Sequence, residues 1–490
     1  MGKNAVIIGA GIGGLAVSAL LAKEGHNITI VEKNDQIGGR ARIWKKGGFS
    51  FDMGPSWYLM PEIFDHFFTL FDKNREDFYT LKKLDPAYRV FFSPEEHMDI
   101  RSDRADAMKI FEGFEKNGGK KLDAYLTQAE YKYSVALKEF LYRDYGSIFD
   151  FFNRRIITEG LKLKIFSKLD KFVRGYFHDR RAIQILEYAM VFLGTSPVKA
   201  PALYTIMSHL DLTQGVFYPE GGLSGVARAF GKLAESQGAA VSLNNPAKKI
   251  RVKGGRVQSV ETEEGSIPAD IVVVNSDYVY AENNLLDREY RSFSPAYWNK
   301  RVYAPSMFLI YMGTNKKLNT LTHHNLYFTE NWGIHFDKIF EHPQWPDDPC
   351  FYVSCISKTD KDSAPEYGEN VFILVPVAPG LDDNDDFREE YAERTVRHIE
   401  NITGADLHSD VAVKRIFSHR DFTDDYNAHK GTALGLAHTL RQTAVFRPPI
   451  KSKKVGNLFY TGQYTRPGIG VPMVVISSQL AAEHIKESLS

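Results

Sequence analysis

The opening of the chain constrains its fold more than any other stretch. Ala5-Val-Ile-Ile8 runs into Gly9-Ala-Gly11-Ile12-Gly13-Gly14, then Leu15 to Lys23 with a helical composition, then Ile28-Thr-Ile-Val31. Strand, glycine turn, helix and second strand make a βαβ unit, which commits the chain to a parallel sheet covered by helices. Within the turn, Gly9 permits the tight bend, Gly11 lets backbone approach a pyrophosphate, and Gly14 lets the helix pack on the strand. The helix start then offers unpaired N–H groups and a positive dipole end to phosphates. Glu32 closes the second strand about 20 residues on, where an acid hydrogen-bonds a ribose hydroxyl. Ile12 inside the turn and Lys33 beside Glu32 complete this first group of nucleotide-binding candidates.

A chain of 490 residues has room for two or three domains of about 100–200 residues each. Val272–Val274 and Leu458–Tyr460 are strand-like and lie beside similar punctuation, so they are expected in the sheet that the opening begins. Residues 110–210 are rich in helix formers and large aromatics, whereas 296–414 carry β-rich runs such as Met307–Tyr311 and Val371–Val375. The expected fold class is α/β: a Rossmann-like nucleotide-binding domain assembled from residues 1–80, 210–295 and 415–490. An inserted α+β substrate domain would take residues 81–209, mostly helical, and 296–414, β-rich. Lys+Arg and Asp+Glu balance at 61 each, which argues against a polybasic nucleic-acid binder. Cys350 and Cys355 are the sole cysteines, so neither a disulfide framework nor a cysteine-built metal site is expected, and no metal is assigned. No apolar run reaches the roughly 18 residues of a membrane span, and the start lacks a cleavable signal.

Further glycine-punctuated segments follow in a fixed order. Gly38-Gly39-Arg40-Ala41 comes soon after Glu32, and Asp52-Met-Gly54-Pro55-Ser56 after that. Glycines there let backbone run close to a bulky ligand, and an arginine can clamp phosphate or carbonyl oxygens. In this order the segments resemble the flavin amine oxidase superfamily, whose GGR and DxGP elements wrap FAD. Ala247-Lys-Lys-Ile250 followed by Gly254-Gly-Arg-Val257 resembles that family's adenine-side strand pair, with Ala247 where valine is usual. Asn275-Ser-Asp277 resembles the element that closes the nucleotide site. Leu458-Phe-Tyr-Thr-Gly462-Gln463, leading to Gly470-Val471-Pro472-Met473 and an apolar helix, resembles the flavin-facing C-terminal motif. Thr461 to Met473 further resembles the TGAxTHPGxGVPG signature of bacterial and fungal phytoene desaturases, with Arg466 replacing histidine and Met473 replacing glycine. Leu436–Pro448, Gly194–Pro197 with Ala200–Tyr204, and Gly215–Gly222 resemble other blocks of the same family, in the family's order.

The resemblance implies FAD as cofactor and a long polyene as substrate. Among such enzymes the chain is similar to the carotenoid 3,4-desaturases, which act on 1-hydroxylated carotenes such as 1'-hydroxy-γ-carotene. The expected chemistry is hydride transfer from an allylic C–H to flavin N5, then proton loss from the adjacent carbon. Asp144, Glu220 and His438 are candidate proton acceptors, and the base is left unassigned. With no second glycine-triplet unit for NAD(P), the electron acceptor would be oxygen or a membrane quinone. Rival readings are a phytoene desaturase, another flavin oxidase or polyene isomerase, and a non-catalytic binder of lipidated proteins.

A carotene dissolves in the bilayer, so a docking element is expected. Ile157, Leu161, Ile165, Leu169 and Val173 recur every fourth residue, with Arg154, Arg155, Lys162, Lys164, Lys168, Lys171 and Arg174 between them. This spacing predicts a basic amphipathic helix lying on anionic lipid. The expected location is cytoplasmic, peripherally on the inner face of the cell membrane.

Overall fold

The computed structural model describes residues 2–143 and 167–490. Five parallel strands form the first sheet, in the order Leu458–Tyr460, Ile271–Val274, Asn4–Ile8, Asn27–Val31, Ala240–Ser242. The central strands are apolar without a break because both faces are covered. Ala5, Ile7, Ile271 and Val273 point into one core; Val6, Ile8, Val272 and Val274 point into the other. On the first face the Ile12–Lys23 helix packs between the Gly222–Ser236 helix and the C-terminal Val471–Leu489 helix. On the second lies an antiparallel sheet of Ala247–Lys253, Arg256–Thr262 and Ser266–Pro268, turned at Gly254 and Gly255 with φ of 58° and 71°.

A seven-stranded sheet builds the second body. Its order is Val411–Phe417, Ser306–Thr314, Glu369–Val377, Phe351–Ser354, His324–Tyr327, Tyr88–Phe91, His97–Ile100. All its neighbours are antiparallel except His324–Tyr327 with Tyr88–Phe91. Phe308, Ile310 and Ile373 face a core with Tyr391, Val396 and Ile399 of the Asp385–Thr403 helix. Met307, Leu309, Tyr352 and Leu374 face the other way, toward the cavity described below.

One expectation about these segments needs correction. The boundary expected at 414 falls inside the Val411–Phe417 strand. The segment 81–209 is mostly helical among its described residues, and it also gives the seven-stranded sheet two strands, with Tyr88, Val90 and Ile100 buried against it. The predicted basic helix lies outside the described residues up to 166. At its described end Lys168 is extended (φ −79°, ψ 144°), and the helix Leu169–Arg174 begins after it. Leu169 and Val173 are buried in the domain core, with Lys171 and Arg174 exposed, so here the apolar face is spent on the protein's own interior. Among the described residues no helix is long and apolar enough to cross a membrane.

Candidate functional site

Every cofactor-binding candidate except Gly14 lines a single cavity of about 1160 Å³: Gly9, Gly11, Ile12, Glu32, Lys33, Gly39, Arg40, Ala41, Gly54, Pro55, Ser56, Ala247, Asn275, Asp277, Gly462, Gln463, Gly470, Val471 and Met473. Gly14 instead stands where helix meets strand: a Cβ there would lie 2.1 Å from the Gly9 carbonyl oxygen. Gly9 has a φ of 101°, a left-handed conformation that glycine adopts without strain.

The nucleotide end is built by contacts between distant segments. Glu32 is buried, its Oε2 accepting from the Ala10 N–H at 2.8 Å and its Oε1 from the Asn34 N–H at 2.9 Å. The carboxylate is thereby fixed against the glycine turn. The Lys33 ammonium is committed to the Asp424 carbonyl and to Asn427 Oδ1 at 3.2 Å, and its partial burial lowers its pKa. Arg42 pairs with Asp425 and reaches the Tyr426 hydroxyl at 3.4 Å. Residues 424–427 thus strap the glycine-rich segments from the far side of the chain, a role that nothing local in their sequence signals.

Arg40 is different. Its guanidinium lies 5.0 Å from the Tyr426 ring centroid, and its buried Nε and Nη2 have no hydrogen-bond partner among the described residues. A cationic donor left open in a cavity matches an anionic or carbonyl-rich ligand. Two helices, Ile12–Lys23 and Val471–Leu489, also begin at the cavity wall, neither with an acidic residue in its first turn. Their unpaired N–H groups favour negative charge. This donor set fits a dinucleotide that carries a diphosphate at one end and an electron-accepting ring at the other.

The C-terminal loop is held by Arg447. Its buried guanidinium donates to the carbonyls of Gln463 at 2.5 Å, Thr465 at 3.1 Å, Gln442 at 3.2 Å and Tyr464 at 3.3 Å. Burial pulls its pKa down to about 10. Asp277 caps Tyr280 at 3.0 Å and accepts from the Tyr464 hydroxyl at 2.7 Å, so it brackets the same loop while lining the cavity.

Beyond the nucleotide end the lining turns apolar, with Trp57, Phe192, Leu210, Met307 and Leu374 as its walls. Leu440 and Phe446 line the cavity and are 43% and 47% exposed, so the apolar wall continues to the surface. One carboxylate interrupts it. Asp211 Oδ2 accepts from the Tyr188 hydroxyl at 2.7 Å and the Tyr88 hydroxyl at 3.1 Å, while Oδ1 has no partner among the described residues. Burial pushes this carboxyl up to about 7. Sequence reasoning missed Asp211; a charged residue between Leu210 and Leu212 was its one local signal.

Of the candidate proton acceptors, Asp144 lies outside the described residues. Glu220 is away from the cavity, its carboxylate bonded to Thr80 and 3.0 Å from Lys82 Nζ. His438 does line the cavity, but both ring nitrogens are engaged: Nδ1 lies 2.5 Å from the Tyr204 hydroxyl, and Nε2 accepts from the Ile469 N–H at 3.0 Å. Burial keeps it neutral. It positions the loop ahead of Gly470 rather than waiting as an open base.

Comparison with known proteins agrees with this geometry. The family described as flavin containing amine oxidoreductase matches residues 12–486. A carotenoid 3,4-desaturase of Haloarcula japonica is 42% identical, the alignment covering 100% of this chain and 99% of that protein. A zeta-carotene-forming phytoene desaturase of Myxococcus xanthus is 32% identical over 99% of this chain and 94% of its own length. Among solved structures, an oxidoreductase from Methanosarcina mazei superposes with a TM-score of 0.65 at 15% identity, covering 98% of this chain and 100% of that one. The chain therefore belongs to the flavin-containing amine oxidoreductase family, among its carotenoid desaturases, and is an FAD-dependent oxidoreductase.

Proposed function

We propose that the protein introduces a C-3,4 double bond into a 1-hydroxylated carotene, of the kind represented by 1'-hydroxy-γ-carotene. The observation that carries this reading is the continuity of the cavity, from Arg40 and the glycine turn to Trp57, Phe192 and Leu374 and out to Leu440 and Phe446. A polyene offers almost nothing but apolar surface, so a long apolar wall that ends at a cofactor cradle is what its recognition needs. The 42% identity to a carotenoid 3,4-desaturase supports the position of the new bond.

Gly9, Gly11, Glu32, Arg40, Gly54, Ala247, Asn275, Gly462 and the Val471 helix start would hold FAD, which when bound would supply a two-electron acceptor for an allylic hydride. The apolar walls hold the polyene in one orientation and exclude water from the cation that hydride loss leaves on it. The C–H next to that cation is acidic, so no strong base is required. Glu220 is too remote to act as one, and His438 spends both nitrogens on the scaffold. We further propose that the mouth beside Leu440 and Phe446 rests on the inner face of the cell membrane. Substrate would enter from the bilayer there, with oxygen or a membrane quinone reoxidising the enzyme.

The test is anaerobic incubation of FAD-loaded protein with liposomes carrying a 1-hydroxylated carotene, phytoene or lycopene, with products resolved by chromatography. Stoichiometric conversion of the hydroxylated carotene alone is expected. Conversion of phytoene would move the assignment to the general desaturases, and no conversion of any polyene would overturn the substrate class.

A further inference from the structure

The contact between Tyr204 and His438 has a direction. A neutral imidazole carries one N–H. Ile469 donates its backbone N–H to His438 Nε2 at 3.0 Å, so the ring proton sits on Nδ1. Nδ1 lies 2.5 Å from Tyr204 Oη and therefore donates to it. The phenol keeps its own proton, and no second partner receives it among the described residues. Tyr204 lines the cavity, and Ile469 immediately precedes Gly470, the cap of the helix that starts at the cavity wall.

We propose that the Tyr204 O–H is the donor that recognises a hydroxyl oxygen on the end of the polyene, with His438 and the Ile469 N–H holding it in that role. This rests on the reading of the substrate as a 1-hydroxylated carotene. In such a molecule the hydroxyl sits only a few bonds from C3 and C4, so its anchor must stand beside the reacting carbons. A group tied to the residue before Gly470 meets that requirement. Asp211, seven residues further along the same helical run, presents Oδ1 with no partner among the described residues, an acceptor of the opposite polarity once the carboxyl is ionised.

That difference in polarity makes the proposal testable on the unaltered holoenzyme at about pH 9, where the Asp211 carboxyl is ionised and the phenol keeps its proton. Three ligands suffice: the 3,4-desaturated product with a free C1 hydroxyl, its methyl ether, and its hydroxyl-free analogue. Binding is followed by quenching of tryptophan fluorescence in detergent micelles, with no turnover. A methyl ether still accepts a hydrogen bond but has none to give. The hydroxyl and the ether are expected to bind about five- to tenfold tighter than the hydroxyl-free analogue. Tyr204→Phe, with its flavin spectrum intact, is expected to bind all three alike. If the ether binds as weakly as the hydroxyl-free analogue, or if Tyr204→Phe keeps the preference while Asp211→Asn loses it, the assignment to Tyr204 is wrong. If the unaltered protein shows no preference for the hydroxyl, the substrate reading fails as well.

Discussion

Replacing Arg447 with lysine tests whether the C-terminal loop is a rigid part of the cofactor cradle. The guanidinium is 3% exposed and fans out to the carbonyls of Gln463, Tyr464 and Thr465 on one side and Gln442 on the other. None of these partners is a carboxylate, so the contacts depend on the planar fork and not on an ion pair. An ammonium has three donors on one atom and reaches one side of the fan, not both. Losing two hydrogen bonds to a charged group, at about 1.5–3 kcal/mol each, predicts a destabilisation of about 3–6 kcal/mol. That is a large share of the roughly 5–15 kcal/mol by which a domain is stable. The damage is local first, because Gln463–Thr465 lead into Gly470 and the Val471–Leu489 helix. Flavin retained through gel filtration reports on the loop, and far-UV circular dichroism on the sheets. Arg447→Lys is expected to lose flavin at least about tenfold more readily, with near-native dichroism at 25 °C and a lowered melting temperature. A variant that keeps both its flavin and its melting temperature would show that the carbonyl fan does not fix the loop.

Other positions give further outcomes. Gly14→Ala places a Cβ 2.1 Å from the Gly9 carbonyl oxygen, an overpacking that costs about 1–3 kcal/mol or more; lowered flavin content and melting temperature are expected, and normal values of both would count against the tight helix–strand contact. Glu220→Gln is expected to leave turnover of the carotene unchanged, since its partners Thr80 and Lys82 lie outside the cavity; a large fall in turnover would restore it as a base. Asp211 titrates near 7 when folded and near 3.9 when unfolded, so the folded state binds the proton more tightly. Its contribution to stability is full below about pH 4 and is lost as the pH rises through 7, at most about 4 kcal/mol in all. Denaturant unfolding of Asp211→Asn from pH 5 to 8 should therefore show a flatter pH dependence than the unaltered protein; equal slopes would contradict this.

What could be read from the sequence was whatever local chemistry dictates. The Gly9–Gly14 turn is legible because a left-handed φ and a helix pressed on a strand leave no room for a side chain. Val272–Val274 and Leu458–Tyr460 are legible because doubly covered parallel strands are apolar throughout, and both pair within the first sheet as expected. The strand Ala240–Ser242, one exposed and two half-buried residues at the sheet edge, shows no such pattern. Nor does His97–Ile100, of which only Ile100 is buried. Of the basic repeat only the end is described, and there a period of four does not reveal that the chain is extended at Lys168. The strap at 424–427 and the direction of the Tyr204–His438 contact arise from residues remote in sequence, the latter from one backbone N–H at Ile469.

The polar groups of the cavity fall into two kinds, and the division separates support from recognition. Glu32, Asp277 and His438 line the wall, yet their polar atoms are held by Ala10 and Asn34, by Tyr280 and Tyr464, and by Ile469 and Tyr204. Such groups shape backbone, and a carboxylate so held can still accept a further ribose hydroxyl. Arg40 Nε and Nη2, Ser276 Oγ and Asp211 Oδ1 have no partner among the described residues, and the Tyr204 proton has none either. A buried polar atom without a partner costs about 1–3 kcal/mol, which a ligand repays when it brings the complementary atom. Arg40 and Ser276 face the nucleotide end, where phosphate and carbonyl oxygens are needed. Tyr204 and Asp211 stand on one helical run against a largely apolar wall, a donor and, when ionised, an acceptor, with Ile206, Met207 and Leu210 lining the cavity between them. A hydrocarbon alone would leave both of them unpaired. A polyene with an oxygen at its end would satisfy the donor, so the wall itself argues for a substrate that is not wholly hydrocarbon.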